Sequence, residues 1–228
     1  MIRVYTQQEI SDDMVLKKEQ SHYITRVMRL GVGDRLRLFN EVDGDWVVEV
    51  TRAKPLVQAK VIEQVEGVPS CKPLHLFFAP VKQDGTNFII QKATELGVTD
   101  FHPIITERSN TRRVNIERLQ KNAVEAAEQC ERLDVPKVHE LRNIGAVDFT
   151  GKDIYVCLER RDANPIGQIR FSEKPVGFLV GPEGGLSDAD VECLEKLCDF
   201  QAISLGSLIL RAETACLMAL AVRRAYES

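Results

Sequence analysis

No stretch of this chain comes near the roughly 20 consecutive apolar residues that a membrane-spanning helix needs. Its opening, MIRVYTQQEISDD, has no apolar core of a secretion signal, so a cytoplasmic protein without membrane association is expected. The six cysteines, at 71, 130, 157, 193, 198 and 216, include no C-x-x-C pair. Cys157 falls in a strand-like run and Cys193, Cys198 and Cys216 in helix-like runs, which reads as buried free thiols. The four histidines are scattered and stand at no ligand spacing, so no metal is expected. There is no Gly-Lys-Ser/Thr to finish a P-loop and no G-x-G-x-x-G, which argues against the common phosphate and dinucleotide cradles. Positive charge is not in excess either: 30 Lys and Arg face 34 Asp and Glu, a net charge of −4, which argues against a general nucleic-acid binder. Repeats and low-complexity tracts are absent.

What remains is a 228-residue chain with 44% hydrophobic residues, enough for one large or two modest domains. Residues 1–70 read mostly as strands, "RLRLF", "WVVEV" and "VQAKVIEQV", with Asp43-Gly44 as a hairpin signal between the first two. A helix over "KEQSHYITRVMRL" would put Tyr23, Val27 and Leu30 on one face and His22, Arg26 and Arg29 together on another. The expectation is a small, partly open barrel carrying a basic helix face. "EGVPSCKP", residues 66–73, reads as a linker.

Residues 71–228 then alternate strand and helix. "LHLFFA", "FHPIIT", "DIYVCL", "VGFLV" and "QAISL" read as strands; "TNFIIQKATELGV", "NIERLQKNAVEAAEQCERL", "DADVECLEKLC" and "AETACLMALAVRRAYE" read as helices. This grammar predicts an α/β fold, a mostly parallel sheet with helices on both faces, with ligands beyond the carboxyl ends of the strands. Residues 105–121 form a local basic strip, Arg108, Arg112, Arg113, Arg118 and Lys121 against Glu107 and Glu117, which suits a specific RNA partner or a solvated face.

Three loops follow strands in the last third: "LERRDANP", "GPEGGLS" and "LGSLILRAETA". If their strands are neighbours, the loops converge into a pocket built largely of backbone groups. Ser187 with Asp188 and Asp190 opens a capped helix after the second loop, so an anion there would meet carboxylates. The loop therefore suits a ligand that is neutral or positive at its reactive atom, or it is a plain turn. Arg211 could brace the third loop by pairing with Glu183 or Glu213, or could hold a substrate.

"GPEGGLS", "LGSLILRAETA", "QKATELGV", "ERSN", "VEAAEQCERLDVP" and, near the start, "HYITRVMRL" occur in the order and at the spacing of similar segments in the bacterial 16S ribosomal RNA (uracil-N3)-methyltransferases. The resemblance covers essentially the whole chain. It implies an amino-terminal RNA-binding barrel similar to PUA domains, residues 1–70, and a SPOUT methyltransferase domain with a carboxyl-terminal trefoil knot, residues 71–228. It further implies a homodimer, S-adenosylmethionine held by the knot loops, and methylation of N3 of a uridine in helix 44 of the small-subunit RNA, position 1498 in standard numbering.

Carried onto this chain, the resemblance assigns the cofactor to Leu158, Glu159, Gly181, Pro182, Glu183, Gly184, Gly185, Leu205, Gly206, Leu208, Ile209 and Leu210. Arg211 and Glu183 are the candidates for catalysis, and His22, Arg26, Arg29, Arg108, Arg112 and Arg113 for RNA contact. Glu95 is a further conceivable base, though its place inside "ATELG" better suits an ion pair. The chain departs from its family at Leu186, where an aromatic is usual, at Ser207-Leu208, often Pro-Arg, and at Ala212, often Thr. Three other readings share these residues: a non-catalytic RNA-binding relative, a nucleoside triphosphate enzyme acting at the GPEGG loop, and a SPOUT enzyme that methylates a ribose 2′-hydroxyl.

Overall fold

The computed structural model describes residues 1–68, 72–158 and 163–226. Its contacts divide into two units, residues 1–70 together with 127–135, and residues 71–126 together with 136–228. Among the described residues no helix is long and apolar enough to cross a membrane.

The first unit holds β1 (Arg3–Tyr5), β2 (Asp13–Val15), α1 (Lys18–His22), β3 (Arg35–Asn40), β4 (Gly44–Arg52) and β5 (Gln58–Glu66) in a sheet of order β1-β3-β4-β5-β2. Only β1 and β3 pair in parallel. Alternate residues Leu36, Leu38, Val48 and Val50 turn inward onto Leu16, Ile24 and Val57. The hairpin differs from the expected two-residue turn. Asn40 accepts from the N–H groups of Val42 and Asp43, so the loop takes three residues and Gly44 opens β4 at φ +83°. A side chain at Gly44 would meet the Glu66 carbonyl, which explains the glycine.

Asp45 is fully buried and accepts from Arg3 Nε at 2.7 Å and Arg37 Nη2 at 2.6 Å. Arg3 also lies 3.6 Å over the Phe39 ring and donates to the Ala127 carbonyl. These contacts, with the Tyr5 N–H on Glu128, tie residues 127–135 to this unit.

The second unit runs β6 (Leu74–Phe78), α2 (Gln83–Glu95), β7 (Asp100–Ile105), α3 (Ile116–Gln129, whose end joins the first unit), β8 (Lys137–Val138), β9 (Arg142–Asn143), β10 (Asp153–Cys157), β11 (Asn164–Pro165), β12 (Val176–Val180), α4 (Asp188–Leu197), β13 (Phe200–Ser204) and α5 (Ala212–Ala225). The strand order is β11-β13-β10-β12-β6-β7-β8, with β9 beside β7, and every pairing among the described residues is parallel. Both faces are covered, which is why the strands read as apolar runs. Phe78, Phe101, Tyr155 and Phe178 pack with Ile89 and Ile90 of α2 and Cys216 and Leu220 of α5. On the other face Phe77, Val156 and Leu179 pack with Val191 and Leu194 of α4.

Helix ends follow local chemistry. Gly97 at φ +97° closes α2, with its N–H on the Thr94 carbonyl and that of Val98 on Ala93. The helix α3 stops at Gln129, short of the expected Leu133, because Glu131 turns to φ 60° and the Arg132 N–H reaches back to the Ala127 carbonyl.

Candidate active site

In the register of the sheet Cys157 stands opposite both Val180 and Ile203, so β10, β12 and β13 end together. Beyond that edge the loops after β12 and β13 enclose a cleft of about 470 Å³. Residues 181–186 and 205–210 line it with Leu158, and Ala212 and Ala215 at the start of α5 close one side. Every expected cofactor residue among those described is therefore in the lining; Glu159 lies outside the described residues. A concave site of this size beyond parallel strands is where α/β sheets hold ligands.

The walls are mostly backbone and apolar side chain. A Cβ at Gly181 would sit 3.0 Å from Leu186 Cδ2 and 3.3 Å from the Gly185 carbonyl carbon, so this position requires glycine for close packing. Gly185 turns at φ +69° and donates to the Pro182 carbonyl at 2.8 Å. Gly184 is less constrained, since a Cβ there would make only ordinary contact with Arg108 at 3.5 Å. Leu186 is buried beneath the loop. Behind it Ser187 and Asp190 form a capping box, and Asp190 also accepts from the Glu107 N–H at 3.1 Å. Asp190 is thus buried and engaged, and among the described residues Glu183 is the acidic group that lines the cleft.

Arg108, a candidate for RNA contact, is exposed and lines this cleft, with Nη1 donating to the Gly184 carbonyl at 2.9 Å. Arg211 caps α5 through its carbonyl, which accepts from Ala215, and its side chain is exposed. Among the described residues it forms no ion pair with Glu183 or Glu213 and is not part of the lining. Glu95 pairs with Lys92 at 2.7 Å on α2, the ion-pair role anticipated for it.

A family model described as an RNA methyltransferase domain matches residues 69–224. The chain belongs to this family. A second model, an RNA methyltransferase PUA domain, matches residues 16–62 of this methyltransferase. It is 35% identical over 229 residues to the ribosomal RNA small subunit methyltransferase E of Rickettsia conorii, covering 96% of this chain and 93% of that one. The protein of the same name from Synechocystis is 34% identical, over 96% of this chain and 75% of the relative. Among solved structures, ribosomal RNA small subunit methyltransferase E of Neisseria gonorrhoeae bound to S-adenosyl methionine superposes with a TM-score of 0.88 at 27% identity, covering 99% of this chain and 98% of that chain.

The candidate RNA residues of the methyltransferase are only partly brought together. His22 and Arg26 are exposed as expected. The helix beneath them is α-helical only to His22, then widens into a π turn over Tyr23–Val27, and Arg29 lies beyond it at φ 59°. Arg29, at φ 59° beyond the π turn, leaves the helical path and so falls outside the helix that carries His22 and Arg26. The apolar side shifts likewise: Ile24 is buried, whereas Val27 is 57% exposed. In the second unit Arg112 is exposed, its Nη2 3.4 Å from the Glu107 carbonyl. Arg113 lines a separate cleft of about 690 Å³ with Arg118, between the starts of α2 and α3. Nothing local in the sequence marks Arg108 as a cleft residue, since its partner Gly184 lies 76 positions away. Ser207 and Ala212 also line the cleft, as does Ala215, which no sequence signal marks.

Proposed function

We propose that this methyltransferase transfers a methyl group from S-adenosylmethionine to N3 of a uridine in 16S ribosomal RNA, at position 1498 in helix 44 of the small subunit. The observation that carries the reading is the cleft formed by residues 181–186 and 205–210, whose lining is polar backbone and apolar side chain. Such a lining fits an adenine, a ribose and a sulfonium better than a phosphate chain. Glu183 is the acidic group in that lining, suited to favour positive charge. The Rickettsia and Synechocystis relatives carry the small-subunit RNA assignment in their names, and the Neisseria structure holds S-adenosyl methionine.

When bound, S-adenosylmethionine supplies an electrophilic methyl carbon. The chain's task is to hold the acceptor nitrogen in line with that carbon, roughly 3 to 3.5 Å away before reaction. Leu158, Leu205, Ile209 and Leu210 exclude water around the donor, while backbone groups of residues 181–185 fix its polar edges. N3 gives its proton to water, and the negative charge this leaves spreads onto the uracil carbonyl oxygens, where a guanidinium stabilises it; transfer of the methyl group to N3 then releases S-adenosylhomocysteine. Arg211, exposed next to the cleft-lining Leu210, is the group we assign to that role. Arg108 braces the loop through the Gly184 carbonyl.

In this account residues 1–70 grip RNA and residues 71–228 carry the reaction, in the cytoplasm. His22, Arg26, Arg29, Arg112 and Arg113 meet phosphates or bases of the flanking RNA, which must release the target base from its stack. The enzyme acts as a homodimer, a reading supported by exposed Phe88 on α2 and Met218 on α5, 44% and 37% accessible. Light scattering at micromolar concentration is expected to give twice the chain mass; a monomer contradicts it.

The testing experiment is transfer of labelled methyl from S-adenosylmethionine to small ribosomal subunits carrying unmodified RNA, with the product nucleoside identified by mass spectrometry. 3-Methyluridine is the expected product. A 2′-O-methylated nucleoside would replace the acceptor assignment, and cofactor binding without transfer would favour a non-catalytic RNA binder.

A further inference from the structure

Three of the four histidines, scattered in the sequence, meet on one face of the parallel sheet near the amino ends of β6 and β7. The methyl cleft lies beyond the carboxyl ends of β10, β12 and β13, so the two places occupy opposite strand ends. In the register His75 faces Asp100 and Phe77 faces His102, and with a period of two these side chains share a face. His139 follows β8 directly and joins them.

The donor atoms are close enough to share an ion. His75 Nδ1 lies 3.1 Å from His102 Nε2 and 3.7 Å from Asp100 Oδ2, and the three ligand atoms all fall within 4.8 Å of one another. A tetrahedral centre with ligands at about 2.0 to 2.2 Å sets its donors roughly 3.3 to 3.5 Å apart, and the first two separations bracket that value. The carboxylate is held from behind: His139 Nε2 stands 2.7 Å from Asp100 Oδ1, and Thr99 Oγ1 donates to Oδ2 at 2.9 Å, leaving Oδ2 a lone pair. The His102 ring is fixed between Phe77 at 4.4 Å and His139 at 4.2 Å, nearly parallel to both. An adjoining cavity of about 500 Å³ leaves room for another ligand. Lys137, Arg142 and Lys152 line that cavity opposite Glu140 and Asp148, so its charge is mixed.

We propose that His75 Nδ1, His102 Nε2 and Asp100 Oδ2 bind one divalent transition ion of the zinc type, with water as the fourth ligand and His139 orienting the carboxylate. Two imidazoles and one carboxylate suit zinc, cobalt or nickel and disfavour magnesium or calcium. The outer hydrogen bond from His139 is the arrangement that orients a ligating group. The ion would clasp β6 to β7 at the end of the sheet away from the methyl cleft, and its role is structural.

The test uses the full chain, stripped with a chelator and then titrated with Zn²⁺ against a chromophoric competitor, with Co²⁺ as the spectroscopic probe. One Zn²⁺ per chain is expected, with a raised Tm. Co²⁺ should show the visible bands of a nitrogen and oxygen site without thiolate charge transfer, which separates this site from the free cysteines. His75→Gln and His102→Gln should each weaken binding at least about tenfold, and His139→Gln should weaken it by about tenfold through the outer bond. Circular dichroism establishes that each variant is folded before it is read. Absence of stoichiometric binding in the unsubstituted chain, a thiolate spectrum, or equal affinity in folded His102→Gln would overturn the site.

Discussion

At the scale of single residues, the cleft discriminates among its own glycines. A Cβ at Gly181 presses on Leu186 and the backbone of Gly185, whereas one at Gly184 rests in ordinary contact against Arg108. Overpacking of this kind costs about 1–3 kcal/mol of folding stability. Gly181→Ala is therefore expected to lower stability by about that amount, and Gly184→Ala by much less; urea unfolding of both variants reads the difference. The motif glycines were legible as loop formers in the sequence, but their ranking was not, because it depends on where Leu186 and Arg108 fall in space. Arg211 and Glu183 stand next to each other only in expectation, and no ion pair between them forms among the described residues. Arg108 shows the opposite case, a residue assigned to an RNA face by its charged neighbours and drawn into the cleft by a carbonyl 76 positions away.

At the scale of elements, the capping box of α4 was readable from Ser187 and Asp190, since its chemistry is local. Its second function was not. Asp190 accepts from Ser187 N–H at 3.0 Å, from Ser187 Oγ at 2.9 Å and from Glu107 N–H at 3.1 Å, joining the glycine loop to the segment after β7. Removing a buried acceptor from such a set costs about 1–3 kcal/mol. Asp190→Ala is expected to lower the unfolding free energy by that amount, read as a lower urea midpoint at an unchanged m value, and to weaken cofactor binding as the loop loses its anchor. Full retention of both properties would show the cap to be incidental. The basic helix near the start was misjudged for a related reason: apolar spacing cannot tell an α-helix from one that widens into a π turn, and Arg29 ends outside it. The outer salt dependence of activity reads what remains. Arg26→Ala should reduce the slope of log affinity against log salt by about 0.7, the value for one phosphate contact on a single strand.

At the scale of the whole molecule, alternating strand and helix announced a parallel sheet, and every strand of five residues or more in the second unit was visible as an apolar run. The two-residue strands β8, β9 and β11 carry no such signal. Which strands are neighbours is not a local property, and that ordering brings the loops after β12 and β13 together while also gathering His75, His102 and His139. The transfer of residues 127–135 to the first unit is equally nonlocal, resting on Arg3 and Tyr5. The central claim is that one end of the parallel sheet binds the methyl donor, and hydrogen exchange with mass spectrometry addresses it without altering any residue. Saturating S-adenosylmethionine is predicted to slow exchange in peptides spanning residues 181–186 and 203–210, the lining of the cleft, and to leave β6 and the amino end of β7 unchanged. Protection confined to other segments, or none at saturating cofactor, would contradict the assignment.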